Sequence, residues 1–105
     1  MLVLDKKYVF HIPLFKFEEG KLIELEIEDT LEDLIDSFGS QGLYVSMVKS
    51  HYGKRIYDEL LVTLFTSSDD NPEEVFKRWF MANNCILRQE AFAYELDGKM
   101  YICEL

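Results

Sequence analysis

The sequence predicts an α+β sandwich, an antiparallel sheet of roughly four to six strands with two helices on one face. Three observations predict it. Two-residue turns carrying glycine, Gly53-Lys54 and Asp97-Gly98, each sit between runs rich in aromatic and β-branched residues, as hairpins require. Two stretches, 29–39 and 71–84, switch to the helical period. The order strand, helix, hairpin over residues 22–60 is echoed over 60–105, with Ser37-Phe38 answered by Trp79-Phe80 and Gly53-Lys54 by Gly98-Lys99. Two βαβ units facing each other through right-handed crossovers give a ferredoxin-like sandwich, with added strands at each end. At 105 residues the chain has the length of one domain, and residues 1–105 are read as one.

Residues 8–17, YVFHIPLFKF, read as a strand bounded by Glu18-Glu19-Gly20. A proline cannot donate to a ladder, so Pro13 implies an edge strand or a bulge. Over 22–29, Ile23, Leu25 and Ile27 point one way and Glu24, Glu26 and Glu28 the other, as in a strand with one wet face. Leu31, Leu34, Ile35 and Phe38 then form a helical stripe, capped by Asp29 or Thr30 and stopped by Gly39 and Gly42. Counting outward from Gly53-Lys54 pairs Tyr52 with Arg55, Ser50 with Tyr57 and Lys49 with Asp58. Ser67-Ser68-Asp69-Asp70 reads as the loop into the second helix, where Asn71 is the N-cap and Pro72 the first helical residue. Val75, Phe76, Trp79 and Phe80 are its buried stripe, and Asn83 or Asn84 ends it in the left-handed conformation. The last hairpin pairs Tyr94 with Tyr101 and Phe92 with Cys103.

The formal charge of −9 is unevenly spread, since the segment 18–36 holds nine acids and a single base, Lys21. Such a field repels phosphate backbones, so nucleic-acid binding is not expected, while a basic protein partner fits. Hydrophobic residues at 49% place the chain well outside the disordered class. Cys85 and Cys103 form no C-x-x-C pair, so no disulfide scaffold or zinc knuckle is read. The apolar run at the start stops at Asp5, far short of a signal core or a membrane span, and a soluble cytoplasmic protein with no membrane contact is expected.

The segment Arg88-Gln89-Glu90 opens the strand that follows the second helix. Alternation puts Arg88, Glu90, Phe92 and Tyr94 on one face, so Arg88 and Glu90 meet as an ion pair at the base of the strand. The functional alternative makes Glu90 a general base or ligand beside Tyr57, Glu59 or His51. These four residues are the catalytic candidates. His11 sits in an apolar strand and His51 beside a turn, neither with a carboxylate at ligand spacing, so no metal site and no cofactor are expected. Lys49, Lys54 and Arg55 cluster on the middle hairpin as a candidate anion contact, beside His51, Tyr52 and Tyr57.

A strand ending near Pro13-Leu14-Phe15, Gly42 opening the middle hairpin, Glu59 on its return strand and RQEAFAYEL over 88–96 resemble a family of small bacterial ferredoxin-like domains of unknown function. The resemblance runs from about Phe10 to Leu96 and implies the fold but no activity.

Strands 43–52 and 55–65 are apolar on both sides, whereas two helices of about ten residues shelter only one face of a sheet. The other face needs the terminal hairpin or a second subunit over it. A homodimer packed sheet against sheet is the economical solution, with Tyr57, Phe92, Tyr94 and Tyr101 expected at the dimer or ligand face. The sequence therefore favours a non-catalytic, dimeric interaction or small-ligand-binding module. Two alternatives stand beside it: a small enzyme with an acid/base site at the sheet face or dimer cleft, and an acidic nucleic-acid mimic that inhibits an enzyme through the 18–36 carboxylates.

Overall fold

The computed structural model of the chain describes residues 1–39, 42–67 and 69–105, with Tyr52 described by its backbone alone. Its elements are β1 (Lys6–Pro13), β2 (Phe15–Glu18), β3 (Lys21–Glu24), α1 (Glu28–Phe38), β4 (Leu43–Tyr52), β5 (Arg55–Thr66), α2 (Pro72–Leu87), β6 (Ala91–Leu96) and β7 (Lys99–Glu104). Five strands form one sheet in the order β4-β5-β1-β6-β7, antiparallel at every junction, and β2 with β3 forms a second, two-stranded sheet. The chain is thus α+β with two helices.

Strand β1 is the centre of the large sheet, but at Pro13 it is paired on one side only, the local edge that the proline calls for. Pro13 is its last residue and pairs with Glu59 of β5, while pairing to β6 covers only Tyr8, Phe10 and the Val9 between them. The proline therefore stands where the ladder to β6 has already ended, and its missing N–H costs little. Tyr8, Phe10 and Ile12 alternate onto one face and are wholly buried. Over that face lie both helices: the Phe10 ring is 4.8 Å from Phe38 of α1 and 4.7 Å from Phe76 of α2. Trp79 of α2 donates its indole N–H to the Thr30 carbonyl of α1 at 2.8 Å, joining the two helices. The Tyr8 hydroxyl is buried there, and burial, then the nearby Glu73 carboxylate, raise its pKa well above the usual phenol value.

The alternating run after β2 is shorter as a strand than expected. It ends at Glu24 with Ile23 exposed, yet Leu25 and Ile27 stay buried, because the Leu25 N–H donates to the Leu14 carbonyl at 2.8 Å and holds the chain against the core. Helix α1 starts at Glu28, ahead of Asp29 and Thr30, with Ile27 as N-cap and no side-chain cap. Gly39, at φ 79°, ends it as expected. Helix α2 begins as read, with Asn71 as N-cap and Pro72 first, but it runs past Asn83 and Asn84 to Leu87. Leu87 is fully buried, so one more turn gains an apolar anchor, and Arg88 takes the left-handed C-cap (φ 54°, ψ 48°). Asn84 braces this exit: its side-chain oxygen accepts the Gln89 N–H at 2.9 Å and its amide donates to the Gln89 carbonyl at 3.1 Å.

Both hairpins have the expected register, Tyr52 to Arg55 in one and Phe92 to Cys103 in the other. The terminal hairpin extends the sheet edge in plane and does not fold over the second face. In the loop before α2, Asp70 accepts hydrogen bonds from the Thr66 and Ser67 hydroxyls, which hold its carboxyl below the usual range; Ser68 of that loop lies outside the described residues. No described helix is long and apolar enough to cross a membrane.

Gly42, where the chain enters β4, has φ 47°, and a Cβ there would stand 3.2 Å from both Leu4 Cδ1 and Phe65 Cβ. Gly42→Ala is therefore expected to lose about 1–2 kcal/mol in urea unfolding, from a left-handed backbone and a crowded contact together. An unchanged midpoint would show that this entry is not strained.

Candidate functional site

Register and alternation divide the large sheet into two faces. Tyr8, Phe10, Val62, Leu64 and Phe92 face the helices. Lys7, Val9 and His11 of β1 face the other way, beside Phe65, Thr63 and Glu59 of β5 and Glu95 of β6. No helix covers this second face, and its rim is exposed: Tyr44 is 52% accessible, Met100 52% and Ile102 72%.

At its centre the three middle strands bring three ionisable side chains together. His11 Nδ1 is 2.7 Å from Glu59 Oε1, and its Nε2 is 2.7 Å from Glu95 Oε2. His11 and Glu59 are mostly buried, with 18% and 15% of their side chains accessible, and Glu95 is at 36%. A neutral imidazole has one N–H only, so one of these contacts would set a bare lone pair against a carboxylate. The imidazolium donates to both. Burial works against that charge, but the hydrogen bonds that His11 donates to Glu59 and Glu95 outweigh it, and the pKa of His11 is raised above its usual value. The cluster thus holds one positive and two negative charges.

The chemistry open to it follows from this geometry. With both ring nitrogens donating, His11 has no lone pair for a general base, and the two carboxylates sit on opposite edges of the ring, where they do not converge on one ligand position. Among the described residues no group of three or more His, Cys, Asp or Glu could hold a metal ion. Two cavities of ≈ 310 Å³ lie elsewhere, one between the end of α1 and the start of α2 and one beside α2, β6 and β7, and neither is lined by the cluster.

Of the residues singled out in the sequence, Glu59 is in the cluster and Tyr57 shares its strand and face two residues earlier. His51 is exposed near the hairpin tip, paired with Ile56 on the opposite face. Glu90 is exposed and precedes β6, and with Arg88 serving as the helix cap the two do not begin a strand together. Gln89 instead donates to the carbonyls of Phe15 and Leu87, at 3.1 Å and 2.7 Å. Phe92, Tyr94 and Tyr101 lie on the helix side, which corrects their placement at the second face: Phe92 is core, and Tyr94 stacks on Tyr101 at 5.1 Å. The mutual parity of these aromatics was right, but the side on which the helices lie is a tertiary fact. The basic trio does not converge. Lys49 pairs with Asp58 at 2.5 Å, the Arg55 guanidinium lies 3.7 Å over the Phe17 ring, and Lys54 is exposed in the turn. The Tyr52 side chain is outside the described residues.

His11 and Glu95 are the residues missed. Each is a lone charge between apolar neighbours in a strand, and the signal was shared parity: His11, Glu59 and Glu95 occupy the same face once β1 is placed between β5 and β6. Sequence spacing cannot reveal this, since the partners of His11 are 48 and 84 residues away.

Comparison with protein-family models, with curated proteins and with solved structures returns no match for the chain.

Proposed function

We propose that the chain is a non-catalytic interaction module that works as a homodimer, with the uncovered sheet face of one copy docked on that of another. The observation that carries this reading is the bare face itself, rimmed by Tyr44, Met100 and Ile102, while both helices pack on the opposite side. The charge pattern favours a second copy as the occupant. The chain carries −9 overall, but on this face Lys7, Arg55 and the His11 imidazolium stand against Glu59, Glu95 and Glu104, a near balance. The acids of α1, from Glu28 to Asp36, are exposed on the helix side and would point away from the partner. Five strands about 4.8 Å apart, the shortest of them 6 residues long, make a face of at least about 500 Å², so two faces bury at least about 1,000 Å², the lower bound for a specific interface.

The ferredoxin-like arrangement belongs to the same proposal. The order β4-β5-β1-β6, with α1 leading from β1 toward β4 and α2 from β5 to β6, suits it, with β7 and the β2-β3 hairpin as additions. Resemblance to the small bacterial domains fits this reading. An enzyme fits less well, because both His11 nitrogens are engaged and neither of the two ≈ 310 Å³ cavities is lined by the cluster.

Sedimentation equilibrium tests the dimer. Wild type is expected to be dimeric at about 10 μM, while Ile102→Asp weakens association at least about tenfold by burying a charge in the interface. Since Ile102 is 72% accessible, the variant keeps its circular dichroism. A single subunit up to about 500 μM, weaker than any interface of this size, would overturn the reading.

A further inference from the structure

Resting on that dimer reading, we propose that the two copies are related by a two-fold axis that crosses the strands over Val9, so that Lys7 of each copy meets the Glu59 and Glu95 carboxylates of the other. The inference comes from charges that have no complement within one copy. Lys7 lies on the uncovered face, exposed, with its ammonium 5.8 Å from the centroid of the Phe65 ring. Among the described residues its ammonium has no carboxylate within ion-pair reach, and its backbone N–H donates to the Asp97 side chain. The His11 cluster carries the opposite imbalance. Its two carboxylates share one imidazolium through one oxygen each, leaving Glu59 Oε2 and Glu95 Oε1 without a donor among the described residues and the cluster with a net negative charge. Burying either end alone against an apolar partner would cost several kcal/mol.

Two sheets stacked face to face can be related by a two-fold axis along the strands or across them. An axis along β1 sets Lys7 on Lys7 and cluster on cluster, which is repulsive twice over. An axis across β1 reverses the strand, so Lys7 meets the His11 cluster of the other copy, where two carboxylates outweigh one imidazolium. Lys7 and His11 are four residues apart, about 13 Å along the strand. The midpoint is Val9, a small apolar side chain that is only 9% accessible and allows close approach. Glu95 pairs with Val9 in register but its carboxylate reaches toward His11, which carries the two copies of Glu95 apart across the axis.

Charge exchange between separate variants tests the register. Lys7→Glu places acid against acid in its own homodimer, and Glu95→Lys places base against base. Each is expected to weaken self-association at least about tenfold, as like charges brought together at an interface do. In an equimolar mixture both contacts become attractive, and a heterodimer of near wild-type affinity is expected by sedimentation. Lys7→Met, which keeps the stem and loses the charge, should weaken the homodimer less than Lys7→Glu. A dimeric wild type with Lys7→Glu dimerising equally tightly, or a mixture no tighter than its components, overturns the axis while leaving the dimer in place. A monomeric wild type overturns the dimer reading and the axis with it. Should Glu95→Lys fail to fold beside the His11 imidazolium, Lys7→Glu against Lys7→Met decides, since Lys7 is exposed and its ammonium lies over the Phe65 ring of its own copy.

Discussion

Phe10→Ala should cost about 4 kcal/mol, the largest loss expected from any single truncation in this chain. The ring is fully buried and forms the joint between the layers. It stacks on Phe38 at 4.8 Å, meets Phe76 at 4.7 Å, and lies 5.5 Å from Tyr8 and 6.0 Å from Tyr94. Removing it leaves a void whose walls come from α1, α2, β1 and β6, each fixed elsewhere, so the space cannot close by moving one neighbour. Against a total stability of about 5–15 kcal/mol for a domain of this size, such a loss leaves the variant marginal. Urea titration followed by circular dichroism measures it, with Phe17→Ala as the control. Phe17 is 48% accessible and contacts the Arg55 guanidinium, so its loss should stay near 1 kcal/mol. Equal losses at the two positions would mean that the helices do not close over β1.

The residues that local chemistry decides were legible. Gly53-Lys54 and Asp97-Gly98 set their hairpins because the turn's backbone demand is met or refused within two residues. Asn71-Pro72 marked the start of α2 for the same reason. Wherever a distant neighbour decided, sequence alone fell short. The end of α2 moved because Leu87 finds a core to enter, a gain larger than the roughly 1–2 kcal/mol of placing Arg88 in the left-handed region. Pro13 marked a local edge, but that this edge comes from the early end of the β1-β6 ladder within a central strand is a property of another strand. The candidate site divides the same way. Glu59 drew attention as an acid on an apolar strand, but what it faces depends on strand order. Only β1 lying between β5 and β6 gives it His11 and, beyond that ring, Glu95.

His11→Ala is expected to lose about 3 kcal/mol near pH 6 and less near pH 9, because the variant removes the one cation that two half-buried carboxylates share. Most of that loss belongs to the Glu59 contact, 15% accessible, since Glu95 at 36% is partly screened by water. The sign of the pH dependence follows from the folded protein holding the proton more tightly than the unfolded chain. Below the unfolded value, near 6.5, both states are protonated and the full contribution is present. As pH rises through the higher folded value the proton leaves, one ring nitrogen turns a lone pair toward a carboxylate, and the contribution is lost. Wild type should therefore lose stability as pH rises from about 6 toward 9, a window that starts near the ordinary imidazole value. In His11→Ala that fall should be absent, because two carboxylates repel equally at both ends of the window. Chemical denaturation of both proteins at several pH values gives the comparison directly. Parallel profiles, offset by a constant, would mean that His11 is not the imidazolium between Glu59 and Glu95, and the charge imbalance on the uncovered face would then have to be drawn afresh.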